Sequence, residues 1–216
     1  ALMEFYDVEI PIHEQPTLIM LAERDELGIA CGLQDRVAQI YNGVTYMDFN
    51  RELVESSGYG RYERIDPVLM PKIYVAYDPS RAEESGKAHR KVKKLFQQKN
   101  ENVLSAMSEF ADIAEKGRDA ILAGRTREIA ELVNANFDLR DRVFNVSEEN
   151  RRMVLTARAT GASAKFAGSG GAIVGTYEDD AHFSRLSSVL AGIGCKTLKP
   201  AITESDEVAM SSDGVW

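Results

Sequence analysis

The chain has 216 residues, of which 44% are hydrophobic and 28% charged, a composition typical of a folded protein with a substantial core. Its formal net charge of -8 argues against broad binding of nucleic acid or of anionic membranes, because both need a positive field. No apolar run approaches the roughly 18 residues of a membrane span, and the first residues lack the basic flank of a secretory signal, so we expect a cytosolic protein.

The first third of the chain is predicted to contain two helices. In residues 16–29 a proline suited to a first helical turn precedes an apolar stripe, and this helix is expected to end near Gly28. Apolar residues on one face of LQDRVAQIY predict a second helix, which Gly43 should stop.

The middle of the chain combines strands with long helices. The stretches GVTYMDF and KIYVAYD are rich in β-branched and aromatic residues and are predicted strands, with a glycine- and charge-containing excursion between them. Apolar residues recur at helical spacing over residues 100–124, which makes this the longest predicted element. Another helix is predicted through TREIAELVNANFDLRDRVF.

The last third predicts a helix, a hairpin, a second helix and a strand. Ser147 and the two glutamates after it are typical of a helix start, and Gly161 is typical of a stop. The following elements are the paired strands SAKFAG and GAIVGTY, a helix over residues 183–193 and the strand CKTLKPAI. The acidic tail from Thr203 is expected to be loose, and the whole pattern indicates an α+β protein with an antiparallel sheet.

The cysteines and histidines give no sign of a metal site or of a catalytic triad. Cys31 and Cys195 are far apart and neither lies in a CxxC or Cys/His ligand spacing, so we expect reduced, packed thiols. His13, His89 and His182 are scattered, and each is expected to be structural or surface-exposed.

The stretch KFAGSGGAIV places three glycines and a serine between two apolar runs. It is not a Walker loop, because no GK[ST] ends it, and it lacks the GxGxxG spacing of a Rossmann fingerprint. A glycine-rich hairpin turn explains it, and so does a loop whose backbone is closely approached by a ligand.

Two further segments have alternative interpretations. Asp35, in CGLQDR, stands at a predicted helix start, where it can accept a proton from a sugar hydroxyl or merely complement the helix dipole. The run SGKAHRKVKK is typical of a solvated helix face, but its glycine start also suits a loop that closes over an anionic ligand. Its cations are Lys87, Arg90, Lys91, Lys93 and Lys94.

Together, these segments resemble the later half of the GHMP small-molecule kinase superfamily, in its glucuronokinase-like branch. The stretches that carry the resemblance are residues 26–49, SGKAH, NFDLR and AKFAGSGGAIV, and they span most of residues 16–202. The resemblance implies a GHMP-kinase-like α+β fold, with an antiparallel sheet packed against helices and a ferredoxin-like C-terminal domain. Residues 1–66 would end the N-terminal domain, residues 67–202 would form the C-terminal domain, and residues 203–216 would form a flexible acidic tail.

The resemblance also implies a role for each segment. CGLQDR is similar to the sugar-kinase CGxMDQ segment, so Asp35 would orient, and can deprotonate, the attacking hydroxyl. Arg36 stands where glutamine is usual and would add a cation for an acidic sugar. KFAGSGGA resembles the family's third motif, a glycine-rich hairpin loop beside the nucleotide phosphates and the substrate. The implied substrate-binding residues are Gly32, Arg36, Lys87 and Arg140, and the implied phosphate-loop residues are Lys165, Gly168, Ser169, Gly170 and Gly171.

The chain departs from the family pattern at the main nucleotide-binding loop. In the family a main phosphate loop of the form P-x-x-x-G-L-x-S-S precedes the CGxMDQ segment, and nothing like it occurs in residues 1–31. The resemblance implies ATP and Mg²⁺, so we expect a missing N-terminal segment or a companion chain to supply the adenine pocket, the main triphosphate loop and the magnesium-positioning side chains. We expect no metal ligands in this chain, which alone should not turn over.

For the complete protein, the resemblance implies that ATP donates its γ-phosphoryl group to a sugar hydroxyl, with the anomeric hydroxyl of glucuronate favoured. Related kinases act on galactose, heptose phosphates, fucose or mevalonate, and motif spacing does not separate these acceptors. A non-catalytic ligand-binding or interaction domain on the same scaffold is the alternative. The kinase interpretation expects Asp35 and the glycine-rich turn to lie at one cleft.

Overall fold

The computed structural model describes residues 2–29, 31–80, 92, 94–144, 146–168 and 170–202. These residues divide into two compact units, unit 1 within Ala1–Val68 and Ile202–Trp216 and unit 2 within Leu69–Ala201. The predicted loose tail from Thr203 and the basic run as far as Lys91 lie outside the described residues.

Unit 1 contains both helices predicted for the first third of the chain. Pro16 lies in the first turn of its helix, which continues as a π-helical turn and ends before Gly28, where the backbone turns left-handed at φ 66°. The apolar stripe of this helix is only partly buried, since Leu18 is 47% exposed while Met20 and Leu21 are half-buried. The elements are α1 Leu2–Tyr6, α2 Gln15–Leu21, the π turn Ala22–Glu26, α3 Leu33–Tyr41, β1 Val44–Asp48, α4 Arg51–Ser57 and β2 Arg61–Ile65.

The excursion after the first predicted strand is more ordered than the sequence indicated. It holds α4, whose start is capped by the Asn50 side chain accepting from the Leu53 N–H, and β2, which pairs with β1. The pairing is antiparallel, with Val44 opposite Ile65 and Asp48 opposite Arg61. Unit 1 therefore has a two-stranded sheet of its own.

Unit 2 has the βαββαβ order of a ferredoxin-like fold, with several helices in its first crossover. Its four strands pair in the order β4-β5-β3-β6, and every neighbouring pair is antiparallel. The predicted α+β class with an antiparallel sheet is confirmed. The elements are β3 Ile73–Tyr77, α5 Glu101–Leu122, α6 Thr126–Val143, α7 Glu148–Arg158, β4 Lys165–Phe166, β5 Ala172–Thr176, α8 Asp180–Ala191 and β6 Lys196–Leu198.

Local signals in the sequence set most helix ends in unit 2. Asn100 caps α5 and Asp179 caps α8 through side-chain oxygens that accept backbone N–H groups. The predicted start at Ser147 is confirmed, since its hydroxyl accepts from the Asn150 N–H. The predicted stop at Gly161 is confirmed by its left-handed backbone at φ 94°.

The core of unit 2 lies between the sheet and its helices. Alternate strand residues such as Tyr74 and Ile173 are fully buried, as are Leu186 and Leu190 of α8. His182 is buried with them, and its Nδ1 accepts the Glu178 N–H at 3.2 Å. This histidine is therefore a structural residue.

Candidate functional site

The first candidate segment forms the start of α3. Gly32 precedes the helix in extended conformation, with φ -128° and ψ 176°, and Asp35 follows in the first turn. The Asp35 side chain is 80% exposed, and its carboxylate lies 3.5 Å from the Arg36 guanidinium. A carboxylate in this place both complements the helix dipole and is accessible to a sugar hydroxyl.

Arg36 has an internal partner that the sequence did not indicate. Its guanidinium contacts both carboxylate oxygens of Glu23 in the π turn, with Nε and Oε1 3.2 Å apart, and only 12% of its side chain is exposed. This bidentate pair fixes α3 to the segment before it. The charge of Arg36 is therefore already balanced within unit 1, and its predicted contact with an acidic sugar would require Glu23 to release it.

The stretch KFAGSGGAIV forms a hairpin, as predicted. Lys165 pairs with Val174 across β4 and β5, and the Ala167 N–H donates to the Ala172 carbonyl at 3.0 Å. Gly171 needs to be glycine because its φ is 72°. A Cβ added at Gly168 would meet open space, so no neighbour within the described residues requires glycine there.

The side chain of Asn150 holds the glycine turn in place by a hydrogen bond. The Gly171 N–H donates to Asn150 Oδ1 at 2.9 Å, and the amide side chain is buried in the first turn of α7. Asn134 of α6 does the same for the start of the hairpin, since its Oδ1 accepts the Ala164 N–H at 3.0 Å. Sequence reasoning missed both residues, although an asparagine at a buried helix position, as at Asn150, indicates that its amide is hydrogen-bonded.

Replacing Asn150 by leucine should loosen the turn, because the buried Gly171 N–H would lose its acceptor. We expect the free energy of unfolding to fall by about 1–3 kcal/mol, measured by urea denaturation. The control is Arg152→Gln on the exposed side of the same helix, which should change it by less than about 0.5 kcal/mol. Equal effects of the two variants would mean that Asn150 does not hold the turn.

Two cations flank the start of the hairpin. Burial lowers the pKa of Lys165, and the positive charge of Arg140 lowers it further. Burial also lowers the pKa of Arg140. Unit 2 thus brings together one predicted substrate residue and one predicted phosphate-loop residue.

Gly168, Gly170 and Gly171 lie in the turn of the same hairpin as Lys165. Lys87 and Ser169 lie outside the described residues. Asp35 belongs to unit 1 and the glycine turn to unit 2, and their common cleft stays a prediction. A groove of about 620 Å³ along α7 is lined by residues such as Glu148, Arg152 and Leu155, none of which is a predicted site residue.

Within the described ranges, no three histidine, cysteine, aspartate or glutamate side chains lie together as a metal site. The same part of the chain has no helix long and apolar enough to span a membrane.

Comparison with known proteins identifies relatives of this chain. No family model matches it. It is 41% identical over 181 residues to glucuronokinase 1 of Arabidopsis thaliana, a match that covers 81% of this chain and 49% of that protein. It is 44% identical over 182 residues to probable glucuronokinase 2 of the same plant, with the same coverage. This chain is a homologue of the glucuronokinases. It spans about half the length of the curated relatives it matches.

Solved structures show that this glucuronokinase homologue has the fold of GHMP kinases. The galactokinase of Lactococcus lactis in complex with galactose matches with a TM-score of 0.72 at 16% identity, over 93% of this chain and 62% of that one. The mevalonate kinase of L. major in complex with R-mevalonate matches with a TM-score of 0.68 at 20% identity, over 94% and 63%. The resemblance to GHMP kinases predicted from the motifs is confirmed, while the roles of individual residues stay predictions.

Proposed function

We propose that the complete protein containing this glucuronokinase homologue transfers the γ-phosphoryl group of ATP to the anomeric hydroxyl of glucuronate. The observation that carries the proposal is the 41–44% identity to glucuronokinases over 81% of the chain. Galactose and mevalonate, present in more distant structures of the same fold, are the acceptors against which glucuronate must be tested.

Asp35 is the residue we assign to the acceptor hydroxyl. Phosphoryl transfer depends on positioning and on charge stabilisation, so a carboxylate that holds the hydroxyl and takes its proton is the main contribution required of a side chain. Two observations support this role for Asp35. Its side chain is 80% exposed and so accessible to a substrate, and its backbone is held in the first turn of α3. The glycine turn would contribute backbone N–H groups to the phosphates.

Mg²⁺, when bound to ATP, would neutralise charge on the phosphates. The described residues offer no group of three potential ligands that fits a metal ion, so we assign no side chain of this chain to it. We propose that a further segment or a companion chain supplies the magnesium-positioning groups and the main triphosphate loop.

Exposed apolar side chains of unit 1 support such an additional segment. A contiguous exposed apolar patch often marks an interaction surface, and the rings of Phe5 and Tyr6 are in contact, with centroids 4.9 Å apart. The most exposed are Phe5 at 78%, Val68 at 77%, Leu27 at 68% and Tyr6 at 67%. The match covers 49% of glucuronokinase 1, so about half of that relative lies outside it and could include a segment that covers such a surface.

A panel of acceptors tests the proposed function. The complete protein is given ATP and Mg²⁺ with glucuronate, glucose, galactose or mevalonate, and ADP release is followed. We expect glucuronate to give the highest kcat/KM. Turnover of none of the acceptors would defeat the kinase proposal, and preference for a neutral sugar would defeat the assignment of glucuronate.

A further inference from the structure

Glu23, in the π turn, holds the segment before α3 at two points. Its backbone carbonyl accepts the Ile29 N–H at 2.9 Å, and its carboxylate accepts two N–H groups of the Arg36 guanidinium. The Glu23 side chain is 23% exposed and that of Arg36 only 12%, so the pair is largely withdrawn from water. A bidentate pair of this kind has a defined geometry, which an exposed ion pair lacks. One glutamate thus connects the π turn, the loop after it and the start of α3.

The start of α3 depends on this connection because it has no side-chain cap. Gly32 occupies the N-cap position and has no side chain that could accept the free N–H groups of the first turn. Val37 is fully buried and fixes one side of the helix. Arg36 lies about 100° away round the helix and fixes a second direction. The two contacts together set the rotation of α3, and with it the direction in which Asp35 projects.

We propose that Glu23 is a positioning residue for phosphoryl transfer, which acts through Arg36 to hold the first turn of α3 and the direction of Asp35. This role rests on the proposed function, in which Asp35 takes the proton of the acceptor hydroxyl. A catalytic group that is misplaced by about 1 Å can cost about 100-fold in rate, so a rigid support for the carboxylate matters. In this arrangement Arg36 stays paired with Glu23 and does not bind the acidic sugar.

The variant Glu23→Gln of the complete protein tests the proposal. The amide leaves the mostly buried guanidinium without its counter-charge, and Asp35, 3.5 Å from Arg36, is available to replace it. Asp35 would then be drawn away from the acceptor. With ATP, Mg²⁺ and glucuronate we expect kcat to fall about tenfold or more. KM for ATP and for glucuronate should stay within about twofold, because ground-state binding is not affected.

A matched control and a double variant separate positioning from a general loss of structure. Glu26→Gln removes an exposed carboxylate from the same π turn and should leave kcat unchanged. Arg36→Gln should lower kcat by about as much as Glu23→Gln does. The double variant Glu23→Gln/Arg36→Gln should be no slower than either single variant, since both act through one contact.

Amide hydrogen exchange of the complete protein, followed by mass spectrometry, gives a readout without turnover. The first turn of α3 should exchange faster in Glu23→Gln than in the wild type, because the pair that holds it is lost. The amides of β3 and β5 in unit 2 should exchange at the same rate in both proteins. The Glu26→Gln control should match the wild type throughout.

Three kinetic results would overturn the proposal. They are a normal kcat for Glu23→Gln, effects of the two single variants that multiply in the double variant, and a lower KM for glucuronate in Glu23→Gln. The last would show that Glu23 competes with the sugar for Arg36. If the wild type phosphorylates no acceptor, the proposed function fails and exchange decides: faster exchange in α3 of Glu23→Gln supports the positioning of Asp35, and unchanged exchange overturns it.

Discussion

Replacing Gly175 by alanine is expected to prevent unit 2 from folding. A Cβ built at Gly175 of β5 would lie 1.7 Å from the Ser163 carbonyl oxygen and 2.5 Å from its carbon. That backbone cannot easily move, because the same oxygen accepts the Tyr74 hydroxyl at 2.9 Å in a buried hydrogen bond. The Ser163 hydroxyl also bonds to Thr176, at 2.8 Å from both its nitrogen and its hydroxyl.

We expect Gly175→Ala to lower the free energy of unfolding by about 4 kcal/mol or more, since overpacking would break several buried hydrogen bonds at once. Circular dichroism and urea denaturation measure the loss. Gly168→Ala in the neighbouring turn is the control, with open space around the added methyl group and an expected change below about 0.5 kcal/mol. A Gly175→Ala variant as stable as this control would disprove the close approach of β5 to the Ser163 backbone.

Replacing Asp35 by asparagine should abolish most phosphoryl transfer while leaving the fold intact. The amide keeps the size of the side chain but cannot take a proton, so we expect kcat of the complete protein to fall by about 10²–10⁴-fold. The melting temperature should change little, because the Asp35 side chain is 80% exposed.

The matched control is Asp25→Asn, which removes another exposed carboxylate of unit 1. It should leave kcat unchanged. Near-normal turnover of Asp35→Asn would remove Asp35 from the proposed role, and a similar loss in the control would point to a general effect of charge.

The elements with strong local signals were predictable from the sequence. Ser147 is followed by two glutamates and starts a helix, and the apolar runs on either side of the glycines pair as a hairpin. The helix α4 was missed because RELVESS has few apolar residues and no clear stripe, so its start depends on the Asn50 cap. Local patterning thus recovered most of the fold of unit 2 and less of unit 1.

The parts of the site that depend on distant contacts were not predictable in the same way. The sequence suggested that Arg36 awaits a ligand, but the π turn brings Glu23 to it from thirteen residues away. The serine- and glycine-rich turn was noticed, but the sequence did not indicate that Gly175, inside a strand, closely approaches the Ser163 backbone. Asn150 belongs to no recognisable motif, so its role became apparent from the structure, in which its amide oxygen accepts the Gly171 N–H.

The product formed from glucuronate labelled with ¹³C at C1 tests the central claim most directly. After incubation of the complete protein with ATP and Mg²⁺, the NMR spectrum should show coupling between C1 and phosphorus, which places the new phosphate on the anomeric oxygen. A phosphate on any other hydroxyl, or unchanged glucuronate beside intact ATP, would contradict the proposal that the complete protein is a glucuronate 1-kinase.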